Sequence, residues 1–161
     1  MRMAEIIDKA KRLRQANPLR SGWFKVYEAH RDISSWCEEI DRVGALRSRK
    51  GSSRRDLKHC TAEDWHTWLR QLPGNILNEI FLNVFPAMDA LGADGVPASK
   101  IGEIKKFYIP RLEALVADIN ALPKIHATRE RVAIRDDSSA LKRITVIARD
   151  ILHELLSDIR R

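Results

Sequence analysis

The sequence predicts an all-α protein, a compact bundle of five or six helices built around one central apolar helix at about residues 76–91. Three observations lead there. Apolar side chains recur at steps of three and four over most of the chain, no segment alternates with period two, and Pro/Gly-rich turns separate the periodic stretches at intervals normal for globular bundles. The 161 residues fit a single domain with one core, and an apolar fraction of 44% with four Trp and four Phe argues against wholesale disorder.

The first expected helix runs from about Ala4 to Ala16, with Ile6, Ile7, Ala10 and Leu13 inward and Lys9, Lys11, Arg12 and Arg14 outward. Asn17-Pro18 ends it, because a residue before proline avoids the α region. Ser21 is placed to cap a long second helix. Its stripe reads Trp23, Val26, Tyr27, His30, Ile33, Trp36, Cys37, Ile40 and Val43, then fades near Gly44. Thr61-Ala62-Glu63-Asp64 resembles a capping box and opens a short helix carrying Trp65, Trp68, Leu69 and Leu72. Pro73-Gly74-Asn75 reads as a turn.

Residues 76–91 are apolar on nearly every side, so Ile80, Phe81, Val84, Phe85 and Met88 are expected to be buried, with a kink or restart at Pro86. A loop at 92–97 follows, and Ser99 is the expected cap of the next helix, whose face holds Ile101, Ile104, Phe107, Tyr108, Leu112, Leu115, Val116 and Ile119. Pro110 should bend that helix and Pro123 stop it. Asp137 or Ser138 is the expected cap of the last helix, striped by Leu141, Ile144, Ile147, Ala148, Ile151, Leu152, Leu155 and Ile159.

Charge is the functional signal. The formal net charge is +7 and the sequence pI about 9.7. Residues 42–58 hold seven Lys/Arg (Arg42, Arg47, Arg49, Lys50, Arg54, Arg55, Lys58) and one carboxylate, with Gly51-Ser52-Ser53 loosening the run. Unpaired guanidinium groups are too costly to bury, so this segment faces water or an anionic partner. A second basic connector at 124–136 carries Lys124, Arg129, Arg131 and Arg135 against Glu130 and Asp136. Like charges and small residues make 47–58 an irregular loop by this reading.

These segments point to a non-enzymatic nucleic-acid-binding protein that contacts backbone phosphates of DNA or RNA with little sequence readout. An alternative is a helical adaptor or structural subunit, which leaves room for a protein partner or a homo-oligomer. No apolar run approaches the roughly 18–20 residues that cross a bilayer, and Met1–Lys9 lack an apolar export stretch, so a cytoplasmic protein without a membrane partner is expected. Cys37 and Cys60 then read as free thiols.

Other chemistry is thinner. A helix-turn-helix reading of 61–85 fails on its second helix, which offers asparagines among Ile, Leu and Phe and no cation. His59, Cys60 and His66 lack the paired short spacings of structural zinc and sit beside Lys58, so no metal and no cofactor are expected. The tryptophans lie on apolar stripes and read as core. No phosphate loop, nucleophile elbow or paired-carboxylate motif occurs.

Arg54 and His59 are separated by four residues, as in the Arg-x4–6-His motif of the HEPN ribonucleases, and in that spacing and its all-helical class the chain resembles that family. The resemblance implies an RNA endonuclease in which His59 acts on a ribose 2′-hydroxyl and Arg54 holds phosphate in a dimer cleft. Arg149 and His153 form a second pair, one residue short of that spacing.

Overall fold

The structure is a computed structural model that describes residues 21–48, 62–122 and 131–161. Among these residues there is no strand. Four helical rods account for nearly all of them: α1 (Ser21–Ser48); a continuous rod of α2 (Ala62–Asn78), a π-helical turn (Glu79–Val84), α3 (Phe85–Ala90) and a 3-10 turn (Leu91–Asp94); α4 (Ala98–Asn120); and α5 (Arg131–Arg160). The all-α class holds, with four rods rather than five or six helices described. The helix expected at 4–16 lies outside the described residues.

Four rods become one core because their stripes meet. Val26, Ile33, Cys37, Ile40 and Val43 of α1, Ile104, Tyr108, Leu112, Leu115 and Ile119 of α4, and Leu141, Ile144, Ala148, Ile151, Leu152 and Leu155 of α5 are all buried, as their spacing predicts. Trp65 is buried, while Trp36 and Trp68 are partly buried against the core. Ile147 and Phe107 fall at the margins of their stripes and are 39% and 54% exposed.

Side-chain pairs give the direction of every rod. Asp41 pairs with Lys142, the His30 ring lies 5.7 Å from that of His153, and the Arg160 guanidinium sits 4.8 Å over Trp23. Rising numbers on α1 meet falling numbers on α5, so the two are antiparallel. Tyr108 donates to Asp158 and Arg111 pairs with Glu154 at 2.9 Å, which sets α4 antiparallel to α5. α3 and α4 are joined by the short reversal at Leu91–Pro97, and Asp89–Lys105 pairs across it, so these two are antiparallel as well. The bundle is up-down-up-down.

The second rod corrects several sequence expectations. Pro73-Gly74-Asn75 is not a turn: α2 runs through it. An interior proline costs about 3 kcal/mol and a glycine about 1 kcal/mol, but Leu69, Leu72, Ile76 and Ile80 are fully buried on one side. Each contributes about 1.5–3 kcal/mol by leaving water, so burial overrides the local preference. Gly74 is exposed with open space where a Cβ would stand.

The π turn has a reason in the same stripe. Leu72, Ile76, Ile80 and Val84 are spaced by four, and an α-helix at 3.6 residues per turn would swing such a series steadily out of the core. Underwinding over Glu79–Val84 keeps Ile80 and Val84 fully buried. Phe81, one residue past Ile80 and so more than a quarter-turn from the buried stripe, is 49% exposed and Leu82 67% exposed, against the expectation that Phe81 is buried. Phe85 is partly buried, and Ile80, Val84 and Met88 are buried as expected. The α-helix resumes at Phe85 with Pro86 in its first turn, where a missing N–H costs nothing.

Two close contacts fix the lower end. The Trp23 backbone N–H, an orphan donor at the start of α1, donates to Asp94 Oδ2 at 2.6 Å. Gly22 permits the approach: a Cβ there would stand 2.8 Å from that oxygen and 3.0 Å from both the Ala87 carbonyl oxygen and the Leu91 amide nitrogen. The rod then stops in a Schellman arrangement, with Gly95 at φ 87° donating to Gly92 O and Val96 to Leu91 O. Pro97, not Ser99, is the N-cap of α4. The Pro97 carbonyl takes the Ile101 N–H at 3.0 Å, which leaves Ser99 inside the first turn.

Candidate nucleic-acid interface

The topology brings to one end the helix termini that flank the two basic segments. In an up-down-up-down bundle the first and third connections fall at the same end. Here the C-termini of α1 and α4 and the N-termini of α2 and α5, which flank residues 49–61 and 123–130, lie together at the end opposite the Leu91–Pro97 turn. The α1/α5 register fixed by Asp41–Lys142 carries upward to set Ser48 level with Arg135.

Of the eleven cations singled out in the sequence, four stand on described helices and all four are at this end. Arg42 and Arg47 belong to the last two turns of α1, and Arg131 and Arg135 to the first turns of α5. The helices thus extend into both basic segments: α1 continues past Gly44 to Ser48, so positions 47 and 48 are helical, and α5 starts six residues before the expected Asp137 cap. Arg49, Lys50, Arg54, Arg55, Lys58, Lys124 and Arg129 lie outside the described residues, as do His59 and Cys60. Arg42 is held on its own helix by Glu39, with Nη2 2.5 Å and Nε 3.2 Å from the two carboxylate oxygens. This i, i+3 pair is exposed on both sides and is worth a few tenths of a kcal/mol.

The rest of the bundle is electrically quiet. Residues 1–20, 49–61 and 123–130 hold thirteen of the 29 Lys/Arg but only four of the 22 Asp/Glu; the described residues hold sixteen cations and eighteen carboxylates. The positive excess of the whole chain is therefore carried by three segments. On the described surface Arg31–Asp32, Lys105–Asp89, Arg111–Glu154, Lys142–Asp41 and Arg149–Asp150 are paired.

Among the described residues, the other polar features do not assemble into a catalytic arrangement. Glu79 of the π turn is half-buried against α1, where it shares a hydrogen bond with Asp32 and accepts one from Asn83 Nδ2 at 2.5 Å. Burial, the Asp32 hydrogen bond and the charges of Asp32 and Glu28 push its carboxyl up to about 7. His30 is held below its usual range by burial first, then by His153 and Arg149. Arg149 lies beside Asp150, and His153 is exposed against His30, so this second Arg/His pair is committed to the α1/α5 seam. A shallow groove of about 410 Å³ between α4 and α5 is lined by Arg111, Asp118, Asp150 and aliphatic side chains and contains no nucleophile or histidine. Among the described residues no three His, Cys, Asp or Glu side chains are placed to hold a metal ion, and no helix is long and apolar enough to cross a membrane. Cys37 is a buried free thiol.

The tryptophans are spent on packing. Trp65 and Trp68 stack at 5.1 Å within the core, and Trp23 stacks on Tyr27 at 5.3 Å beneath Arg160. Sequence reasoning missed the exposed face of the π turn. Its signal was the run of four-residue spacings from Leu72 to Val84, which an α-helix cannot keep in line.

No family model, no curated protein and no solved structure matches this chain.

Proposed function

We propose that this is a non-enzymatic nucleic-acid-binding protein that contacts backbone phosphates with one end of its helical bundle. The observation that carries the proposal is the division of charge: a body with slightly more carboxylates than cations, and a positive excess confined to segments of which two are joined to the same end. A stripe of that kind follows a phosphate backbone and releases counterions; it reads charge and not base edges, so discrimination among sequences is slight. The reading has the protein act in a cytoplasmic, reducing setting, in keeping with the free thiol of Cys37.

The test is a gel shift with DNA and RNA duplexes and single strands across a salt series. Replacing Arg47, Arg49, Lys50, Arg54 and Arg55 by Ser weakens binding about equally for all sequences, by a factor on the order of a hundred or more at low salt, and flattens the salt slope by about one for each phosphate no longer neutralised. Helical content and melting temperature stay close to those of the parent. Absence of binding to any nucleic acid at low salt ends this reading and puts a protein adaptor in its place. Loss of RNA cleavage alone on Arg54→Ala or His59→Ala, with binding kept, replaces it with the nuclease reading.

A further inference from the structure

Three side-chain pairs clasp α1 to α5 along their length: Asp41 with Lys142 toward the basic end, His30 with His153 at the middle, and Trp23 beneath Arg160 at the lower end. The outer two set a cation against a carboxylate or an aromatic face. The middle one is made of two bases. Its rings are tilted at 37° with centroids 5.7 Å apart, His30 half-buried in the seam and His153 on the exposed rim. Neutral imidazoles pack at that distance as flat, largely apolar plates. Two imidazoliums cannot do so without setting like charges against each other.

The surroundings offer little to offset a second charge. Arg149, one turn before His153 on α5, adds a third cation that acts on His30. Asp150 is the anion that acts on it, and Asp150 Oδ1 is already taken by Nε and Nη2 of Arg149, both at 3.2 Å. On α1 the positions one turn either side of His30 are Val26, Tyr27, Ile33 and Ser34, none of them a carboxylate. Other acids of these two helices face elsewhere: Asp32 and Glu28 act on Glu79 of the second rod, and Glu154 pairs with Arg111 of α4. We propose that the His30–His153 contact is an acid-sensitive latch, closed while at least one ring is neutral and loosened when both carry a proton, so that acid weakens the α1/α5 seam at its middle.

Burial, then His153 and Arg149, hold the ionisation of His30 below its usual 6.5, and Asp150 offsets them only in part. The unfolded chain therefore takes that proton first. The stability that the pair lends is complete above about pH 6.5 and is lost as pH falls through the folded-state value. Two interacting bases gain their protons in steps that belong to the pair, so a change at one ring is felt at the other. His153 stands in water, which screens much of the repulsion and keeps the effect to about threefold in the folding equilibrium. This inference stands independently of the nucleic-acid reading.

A double-mutant cycle and ring-proton NMR on the full chain test it. The variants are His30→Gln, His153→Gln and the two together, since glutamine stays neutral at every pH. His59, His66, His126 and Glu79 are common to all of them and cancel from the differences. In denaturant titrations the coupling between positions 30 and 153 is neutral or favourable at pH 8 and unfavourable at pH 5, a change of about threefold in the folding equilibrium constant. In the NMR titration His153→Gln, an exposed change, moves the ionisation of His30 upward. Should His30→Gln fold poorly, Arg149→Gln decides: removing that cation leaves Asp150 to His30, moves the ionisation of His30 upward and lessens the loss of stability in acid. A coupling of the same sign and size at both pH values overturns the proposal. So does a His30 ionisation that stays in place in both the His153→Gln and the Arg149→Gln proteins.

Discussion

The helical body and the basic segments of this protein obey different rules. In the body, position is everything: a four-residue spacing goes with a π turn, one glycine admits one carboxylate, and several cations are tied to neighbouring carboxylates. In the segments that carry the positive excess, composition carries the signal, since phosphate attraction depends on how many charges are present and little on their order. A change in the body should therefore be felt as stability and a change in the segments as affinity. That separation can be broken by experiment.

The largest effect is expected in the body. Ile80 is fully buried on the π turn, and Ile80→Ala removes three carbons from a packed core, so it costs about 2–5 kcal/mol of unfolding free energy in a denaturant titration. The molecules that remain folded bind nucleic acid with an unchanged salt slope. A changed slope would mean that the interface reaches into the core, and the comparison would fail.

Gly22→Ala comes next. The new methyl would press on the Ala87 carbonyl and the Leu91 amide, both backbone and unable to swing aside, besides Asp94. Separation of α1 from the second rod costs about 1–3 kcal/mol, read as a lower midpoint with the same denaturant slope.

Glu79 makes the third test, through pH. Its folded-state pKa is raised from 4.5 to about 7, so the native state holds the proton more tightly than the unfolded chain does. The associated stability is complete below about pH 4.5 and is lost as pH rises through about 7. The group is half-exposed, so solvent screening limits the effect to roughly 1 kcal/mol. Glu79→Gln, which keeps a donor for Asp32, flattens the stability profile between pH 5 and 8 and leaves the protein more stable at pH 8. A profile identical to that of the parent would remove Glu79 as its source.

Much of the body is legible in the sequence because helical spacing reports burial directly. The stripes of α1, α4 and α5 can be read for most of their residues, with Tyr27, Phe107 and Ile147 left exposed, and the same spacing places Ile80, Val84 and Met88 in the core. The misreadings share one cause: local signals omit the tertiary term. Pro73-Gly74 looks like a turn until four fully buried aliphatics are set against it. Phe81 looks like core until Ile80, its neighbour about 100° round the helix, takes the buried side. Ser99 and Asp137 are good caps, but a cap residue works only where the helix begins, and neighbouring rods decide that. At the site, both basic segments stand out in the sequence, but the shared end of the helix termini that flank them does not, because it follows from the up-down-up-down path and from nothing local.

The smallest effect lies on the boundary between the two regions. Arg42 is counted with the basic segment, yet it stands on α1 and is bound twice by Glu39 on its own helix. A cation already paired with a carboxylate attracts fewer counterions than an isolated one, and to reach a phosphate it must displace or share that partner. Arg42→Gln is therefore expected to lower the salt slope by clearly less than one and to reduce stability by about 0.3–0.5 kcal/mol as the i, i+3 pair disappears. Glu39→Gln is the complement: it takes this one carboxylate away from Arg42, so nucleic acid binds somewhat tighter and the slope steepens slightly. If Arg42→Gln instead lowers the slope by a full unit, Arg42 belongs functionally to the basic segment despite its pair, and the boundary between the regions moves down α1 by one turn.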